Sequence, residues 1–134
     1  MSTRCNVLIK DGQSQQWFYR HSDGYPSVTA ESLKTFVQWL VDGRIRDNVC
    51  QGSGWLIILG NTEYAKTSKE GFATEPGDDS LYSWKVGAYE PTDDEHGDIV
   101  YLYTIDMENK TVSVNKKVYS YEKFLNHNFI KEDR

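Results

Sequence analysis

The residues Arg4-Cys5-Asn6-Val7-Leu8-Ile9-Lys10-Asp11-Gly12, followed by Trp17-Phe18-Tyr19-Arg20-His21, decide the architecture of this chain. Cys5, Val7 and Ile9 alternate with Arg4, Asn6, Leu8 and Lys10, the period of a half-buried strand. Asp11-Gly12 is a strong hairpin turn signal, and the aromatic return from about Gln15 to His21 suits a pleated surface. Two registers are open. A two-residue turn sets Arg4 opposite Tyr19, and a four-residue loop sets it opposite His21. They differ by an even number of residues. Either one therefore keeps Arg4 on the face of Trp17, Tyr19 and His21 and turns Arg20 toward Cys5 and Phe18.

Downstream of this hairpin, Leu33, Phe36, Val37, Leu40 and Val41 fall at i, i+3, i+4, i+7 and i+8, an amphipathic helix stripe. The helix is predicted over about Ala30 to Asp42. Thr29 is its expected N-cap, Glu31 complements its positive end, Val28 and Leu33 suit a hydrophobic staple, and Gly43 supplies the stop. Trp39 lies off the stripe and is a candidate partner contact. Trp55 to Leu59 is a continuous apolar run bounded by Gly52, Gly54 and Gly60, which reads as a central strand buried on both faces. Residues 61–80 read as a long polar loop with a helical turn near Glu63, and Leu81 to Tyr89 as a strand. Ile99 to Ile105 and Thr111 to Val114 form a predicted hairpin around Met107-Glu108-Asn109-Lys110, and Ser120 caps a short final helix with Tyr121, Phe124 and Leu125. This order implies a single α+β domain over residues 1–134. Its expected form is one mainly antiparallel sheet of five to six strands with one long and one short helix packed on a face.

Composition narrows the function. Of the 134 residues 38% are hydrophobic and 26% charged, enough for a real core and against disorder. The formal charge is −5, and the chain lacks the Lys/Arg cluster that duplex binding requires, so general nucleic-acid binding is disfavoured. A locally basic pocket for a small anion remains compatible with that charge. No apolar run approaches a membrane span, and Met-Ser-Thr-Arg-Cys lacks the apolar core of a signal peptide. Cys5 and Cys50 are too few for a disulfide framework, so a cytoplasmic protein with reduced thiols is expected. Self-association into a homo-oligomer is compatible with the same composition.

The chemistry concentrates at the end of the second strand. Trp17 to Pro26 delivers Arg20, His21 and Asp23 to a strand end, flanked by Tyr19 and Tyr25, with Arg4 in the strand that pairs with it; sites are often built where a rigid element hands over to a loop. His21 with Asp23 suits a general acid–base pair, although Asp23 also suits the Asp-Gly turn as a purely structural residue. Cys5 and His21 fall on opposite faces, which removes a thiol nucleophile and its base. Asp93-Asp94-Glu95-His96-Gly97-Asp98 is dense in potential metal ligands, but its spacing is not that of a calcium loop, and it reads as a solvated acidic turn. Gly52-Ser53-Gly54 lacks the Lys-Ser/Thr ending of a phosphate loop. No metal or cofactor is expected.

The opening Met-Ser-Thr-Arg-Cys, with Tyr19-Arg20-His21-Ser22-Asp23-Gly24-Tyr25-Pro26 and the later Gly97-Asp98-Ile99-Val100-Tyr101-Leu102-Tyr103, resembles a family of short, largely uncharacterised phage, prophage and bacterial proteins. The family supplies no reaction. The resemblance implies that Arg4, Tyr19, Arg20, His21, Asp23 and Tyr25 belong to one ligand-binding constellation, and that the protein has a phage or mobile-element accessory role. The expected function is a non-catalytic counter-defence protein that sequesters a small nucleotide-like signal, with aromatics to stack on a base and Arg4, Arg20 or Lys85 to meet phosphates. The alternatives are a protein inhibitor that docks on a host defence protein through acidic loops at 75–79 and 93–98, and a small hydrolase using His21 and Asp23.

Overall fold

The computed structural model describes residues 3–67 and 87–130. In chain order these form β1 (Cys5–Lys10), β2 (Gln15–Arg20), α1 (Thr29–Val41), α2 (Val49–Thr67), β3 (Glu90–Thr92), β4 (Tyr101–Asp106), β5 (Thr111–Val114), β6 (Lys117–Ser120) and α3 (Tyr121–Asn126). One six-stranded sheet in the order β3-β2-β1-β4-β5-β6 carries the fold. Four of its pairings are antiparallel and one, β1 with β4, is parallel. The architecture is α+β, as the strand and helix order implied.

The first hairpin takes the longer of the two registers. Lys10 pairs with Gln15 and Cys5 with Arg20, leaving residues 11–14 as the loop. Asp11 builds that loop: its carboxylate accepts from the backbone N–H groups of Gln13 and Ser14 at 2.9 and 2.8 Å, and Gly12 supplies a φ of 90°. The same side chain accepts from Val49 N–H at the start of α2. These backbone donors hold the Asp11 carboxyl below its ordinary value. One acidic residue thus closes a turn and satisfies an orphan donor at a helix start.

The inward side chains of the sheet, Cys5, Val7, Ile9, Phe18, Tyr103, Ile105 and Val112, are fully buried in one cluster with Leu33, Phe36 and Val37 of α1, Leu56 of α2 and Phe124 of α3. Leu33, Phe36, Val37 and Leu40 of the α1 stripe are buried as their spacing required, whereas Val41, in the last helical position, is exposed. Val28 rather than Thr29 is the residue before the first helical turn, and it provides no side-chain cap. Thr29 instead donates its hydroxyl to the Asp23 carbonyl at 2.8 Å, so it ties the helix start to the preceding turn. Ser120 does cap α3, accepting from Lys123 N–H.

The main departure from the sequence reading is α2. Trp55 to Leu59 is helical, not a central strand, and the helix runs on to Thr67 through the start of the segment expected to be loop. Five consecutive apolar residues cover every side of a helix, so they carry no 3.6-residue period and imitate a buried strand. The glycines also have a different role. A Cβ on Gly60 would stand 2.7 Å from Tyr89 N, and one on Gly52 would stand 3.0 Å from the Met107 side chain; both let the helix approach its neighbours closely. Gly54 faces outward, with nothing within 4 Å of where its Cβ would stand. In the expected strand Leu81 to Tyr89, residues 81–86 lie outside the described residues. The strand that pairs with β2 is the short β3 that follows.

Two stability outcomes follow from this packing. Leu40→Ala should lower the unfolding free energy by about 2–5 kcal/mol in denaturant titration, the range for truncating a buried Leu. Gly60→Ala should cost about 1–3 kcal/mol because the added methyl meets backbone that must shift. A neutral result at Gly60 would contradict the close approach of α2 to Tyr89.

Candidate functional site

Strand parity divides the expected constellation between the two faces of the sheet. Cys5 opposes Arg20 and both point inward, so the next residues along, Arg4 and His21, belong to the opposite, open face. Asn6, Leu8, Trp17 and Tyr19 share that face, as do Leu102 and Thr104, which pair with Asn6 and Leu8.

The open face is organised by the connection from β3 to β4, which crosses over it. Asn6 is the anchor. Its Nδ2 donates to the Phe18 carbonyl at 2.8 Å, and its Oδ1 accepts from His96 N–H at 2.8 Å, leaving the side chain fully buried. His96 is thereby laid on Tyr19, with ring centroids 4.0 Å apart and planes inclined by 15°. Its Nε2 is 3.2 Å from Thr92 Oγ1. Farther along the same connection, Val100 N–H donates to the Arg4 carbonyl.

This crossing brings Asp98 to Arg4 and Tyr19. The Asp98 carboxylate lies 3.3 Å from Arg4 Nε, an ion pair by distance whose N–H is not aimed for a hydrogen bond. Tyr19 OH donates to Asp98 at 3.4 Å and lies 3.5 Å from His21 Nδ1. The phenol has one proton, so with Asp98 as its acceptor the His21 contact requires the Nδ1–H tautomer. Partial burial and the neighbouring Asp98 charge push the Tyr19 phenol up, with Arg4 opposing them. Asp98 and His21 are exposed, and Arg4 and Tyr19 are half-buried. Such an arrangement presents a cation, a carboxylate, an imidazole and an aromatic stack side by side on a solvent-facing surface.

Asp23 and Tyr25 belong to a separate structural turn. Asp23 adopts a φ of 59° and accepts from Tyr25 OH at 3.1 Å. Gly24 between them packs onto β1, where a Cβ would stand 2.9 Å from the Cys5 Cβ. Its N–H donates to Thr3 O, and its carbonyl accepts from Tyr103 OH at 2.7 Å. His21 and Asp23 therefore turn to different partners, Tyr19 and Tyr25. The Asp-Gly-Tyr segment seats the start of α1.

Arg20 departs furthest from the expected constellation. Only 2% exposed, it ion-pairs with Glu63 of α2 through Nη2 and donates from Nε to the Ser22 carbonyl at 2.9 Å. Glu63 also accepts from Ser32 Oγ of α1 at 2.7 Å, and Ser32 Oγ accepts from Tyr89 OH at 2.7 Å. The guanidinium lies 5.3 Å from the Tyr89 ring centroid. Burial pushes the Tyr89 phenol up, with the Arg20 charge opposing it. This is an internal network that joins β2, α1, α2 and Tyr89 just before β3, built where the expected ligand contact would have been.

Cys5 is buried and free, and Cys50 is exposed and free. Burial pushes the Cys5 thiol up to about 12, with the nearby Arg20 charge opposing the shift. Among the described residues there is no group of three or more His, Cys, Asp or Glu side chains that could hold a metal ion. No helix among the described residues is long and apolar enough to cross a membrane. Lys85 and the acidic residues 75–79 lie outside the described residues. Sequence reasoning missed Asn6, His96 and Asp98 as partners of Arg4 and Tyr19. His96 and Asp98 were visible as an acidic run with an imidazole, but only the crossover shows which strands they lie on.

Comparison of the chain with protein-family models finds no match, and comparisons with curated proteins and with solved structures find none either. The geometry of the site is thus what bears on function.

The thiols give a direct check. Titration with a chromogenic disulfide at neutral pH should modify Cys50 rapidly and Cys5 only after denaturant is added. The folded state holds the Cys5 proton up to about 12, whereas an unfolded thiol releases it near 9. The unfolded state therefore binds fewer protons between those values, and Cys5 should make stability fall as pH rises through that window. Cys5→Ala should flatten that part of the stability–pH profile. An unchanged slope would show that other groups carry it.

Proposed function

We propose that this chain is a non-catalytic binding protein that docks on a basic surface of a partner protein, as a phage or prophage accessory protein would to occupy a host defence protein. The observation that carries this reading is the exposed carboxylate group of Asp93, Asp94, Glu95 and Asp98, set along a sheet face with half-buried Leu8, Trp17, Tyr19 and Leu102. Interfaces of this kind combine aromatic anchors at the centre with a charged, solvated rim. The acidic balance of the whole chain, −5, adds a long-range pull toward a basic partner. Phage origin rests on the motif resemblance alone.

A second reading, sequestration of a small nucleotide-like ligand, draws on a different observation. The His96–Tyr19 stack offers an aromatic platform beside the Arg4 guanidinium, whose side chain is 34% exposed. Against it, Arg20 is committed to Glu63 on the other face, so the two arginines do not grip one phosphate group from one side. A hydrolase using His21 and Asp23 has the least support, because those side chains turn to different tyrosines.

The two binding readings separate in one preparation. Expressed in a host cell and purified at low ionic strength, the wild-type chain should retain a protein partner in fixed stoichiometry. Asp94→Lys combined with Glu95→Lys should lose it. Added salt should slow association far more than it speeds dissociation. Native mass spectrometry that releases a nucleotide-sized mass, with no protein partner present, would overturn docking in favour of sequestration.

A further inference from the structure

Helix α2 buries one apolar face in the core and exposes Trp55 and Ile58 on the other. Val49, Gly52, Leu56 and Gly60 are buried, at the spacing of a stripe that packs inward. Cys50, Gln51, Gly54, Trp55, Ile58 and Thr62 form the opposite, exposed stripe. Within it Trp55 is 40% and Ile58 50% exposed. Trp55 also meets Trp39 of α1 edge to face, with ring centroids 5.9 Å apart, which extends the apolar surface onto the neighbouring helix.

Two further features of this face are independent of its apolarity. The first is electrostatic. Residues 48–62 contain no Asp, Glu, Lys or Arg, in a chain that is 26% charged and carries a formal −5. The second is Gly54. It lies in mid-helix, where glycine is unfavourable relative to alanine, and nothing within 4 Å of its Cβ position explains it. Gly52 and Gly60 are accounted for by the packing of the chain itself; Gly54 is not. An outward glycine between Cys50 and Ile58 lets another backbone approach the helix.

We propose that this face is the contact of a two-fold symmetric homodimer, in which α2 of one copy packs on α2 of a second across Gly54. A two-fold contact must complement itself, because the same patch meets itself. The charge pattern selects this occupant. An acidic partner surface would repel the body of the chain, and a basic one would find no carboxylate among residues 48–62 to pair with. A second copy brings an uncharged stripe to an uncharged stripe. Depletion of charge and enrichment of Trp are also the composition of a homodimer interface core. The dimer would leave the open sheet faces directed away from the shared contact, since helices and open face lie on opposite sides of the sheet. Two such faces on one particle would engage a multivalent partner with avidity. The proposal does not depend on the docking reading.

Size-exclusion chromatography with light scattering, over a concentration series of the full chain, should report twice the mass of one chain. Ile58→Glu, and separately Gly54→Leu, should run at the mass of one chain while keeping the wild-type far-ultraviolet circular dichroism spectrum. Gly54→Leu is chosen because a side chain there meets open space within one copy, so it tests approach of a second copy rather than folding. A bismaleimide should couple wild-type chains through the exposed Cys50, one turn from Gly54, and fail with Gly54→Leu. Asp94→Lys should leave the dimer intact, which separates this contact from the acidic segment. A wild-type chain of single mass throughout the series would overturn the proposal. So would a dimer that both variants leave unchanged, since the contact would then lie elsewhere.

Discussion

The fold turns on a guanidinium placed inside it. Arg20 closes β2 on the inward face, and its partner Glu63 comes from α2, which the sheet does not otherwise tie by backbone pairing. Removing the guanidinium from water costs several kcal/mol before its attraction to the partly exposed Glu63 and its hydrogen bonds offset it. The surroundings supply those bonds: Ser22 O for Nε, Ser32 Oγ for the second Glu63 oxygen, and the Tyr89 ring beneath the cation. One donor, Nη1, is buried without a partner. A pair of this kind adds little net stability compared with apolar residues of the same size. Its effect is positional, because any other seating of α1, α2 or the approach to β3 would strand one charge in the core. The glycines agree with this. Gly60 and Gly87 bring the backbone of α2 and of residues 87–89 into contact, and a Cβ on Gly87 would stand 2.6 Å from Asn61 N. That proximity sets Tyr89 against Arg20.

Fixing Arg20 inward fixes everything of opposite parity outward. Arg4, Asn6, Tyr19 and His21 follow without a further choice, since a strand alternates and the hairpin loop shifts register by whole pairs. What the alternation does not supply is the cover. The β3-to-β4 crossover supplies it, pinned at Asn6 by two hydrogen bonds to different strands' neighbourhoods, the Phe18 carbonyl and the His96 amide. A buried amide with donor and acceptor both satisfied is a stable hinge-free attachment, because breaking either bond leaves an unpaired polar group away from water. The consequence for function is local order. His96 and Asp98 are held over Tyr19 and Arg4, while Asp93, Asp94 and Glu95 beside them stay solvated.

These features also explain what could be read from the sequence and what could not. The hairpin, α1, the β4–β5 hairpin and α3 were legible because each has a period or a turn that belongs to one element only. The inward direction of Arg20 was legible too, from parity alone. Helix α2 was not, because Trp55 to Leu59 has no period and its glycines resembled strand boundaries. Their real reason, close approach to Met107 and Tyr89, exists only in three dimensions. The strand β6 escaped notice because Lys117-Val118-Tyr119-Ser120 is short and half-polar, and it forms by pairing with β5 rather than by pattern. The site divided in the same way. Arg4, Tyr19 and His21 share a face as the alternation required, whereas Asp23 and Tyr25 serve the turn into α1. The link from Tyr19 to Asp98 spans most of the chain and had no local signal.

The same parity that separates Arg4 from Arg20 gives the molecule two unlike surfaces. On one side of the sheet the chain presents charge: four exposed carboxylates, a half-buried arginine and two imidazoles around a tyrosine. On the other side, residues 48–62, which include the outer stripe of α2 from Cys50 to Thr62, carry none. Selection for solubility alone works against an exposed Trp55 and Ile58 on a helix that could carry Lys or Glu at those positions without disturbing Leu56 or Val49. On the two proposals made above, the surfaces meet different neighbours. One should be polar and reached through long-range electrostatics. The other should be apolar and reached only at contact distance, where the missing side chain of Gly54 matters.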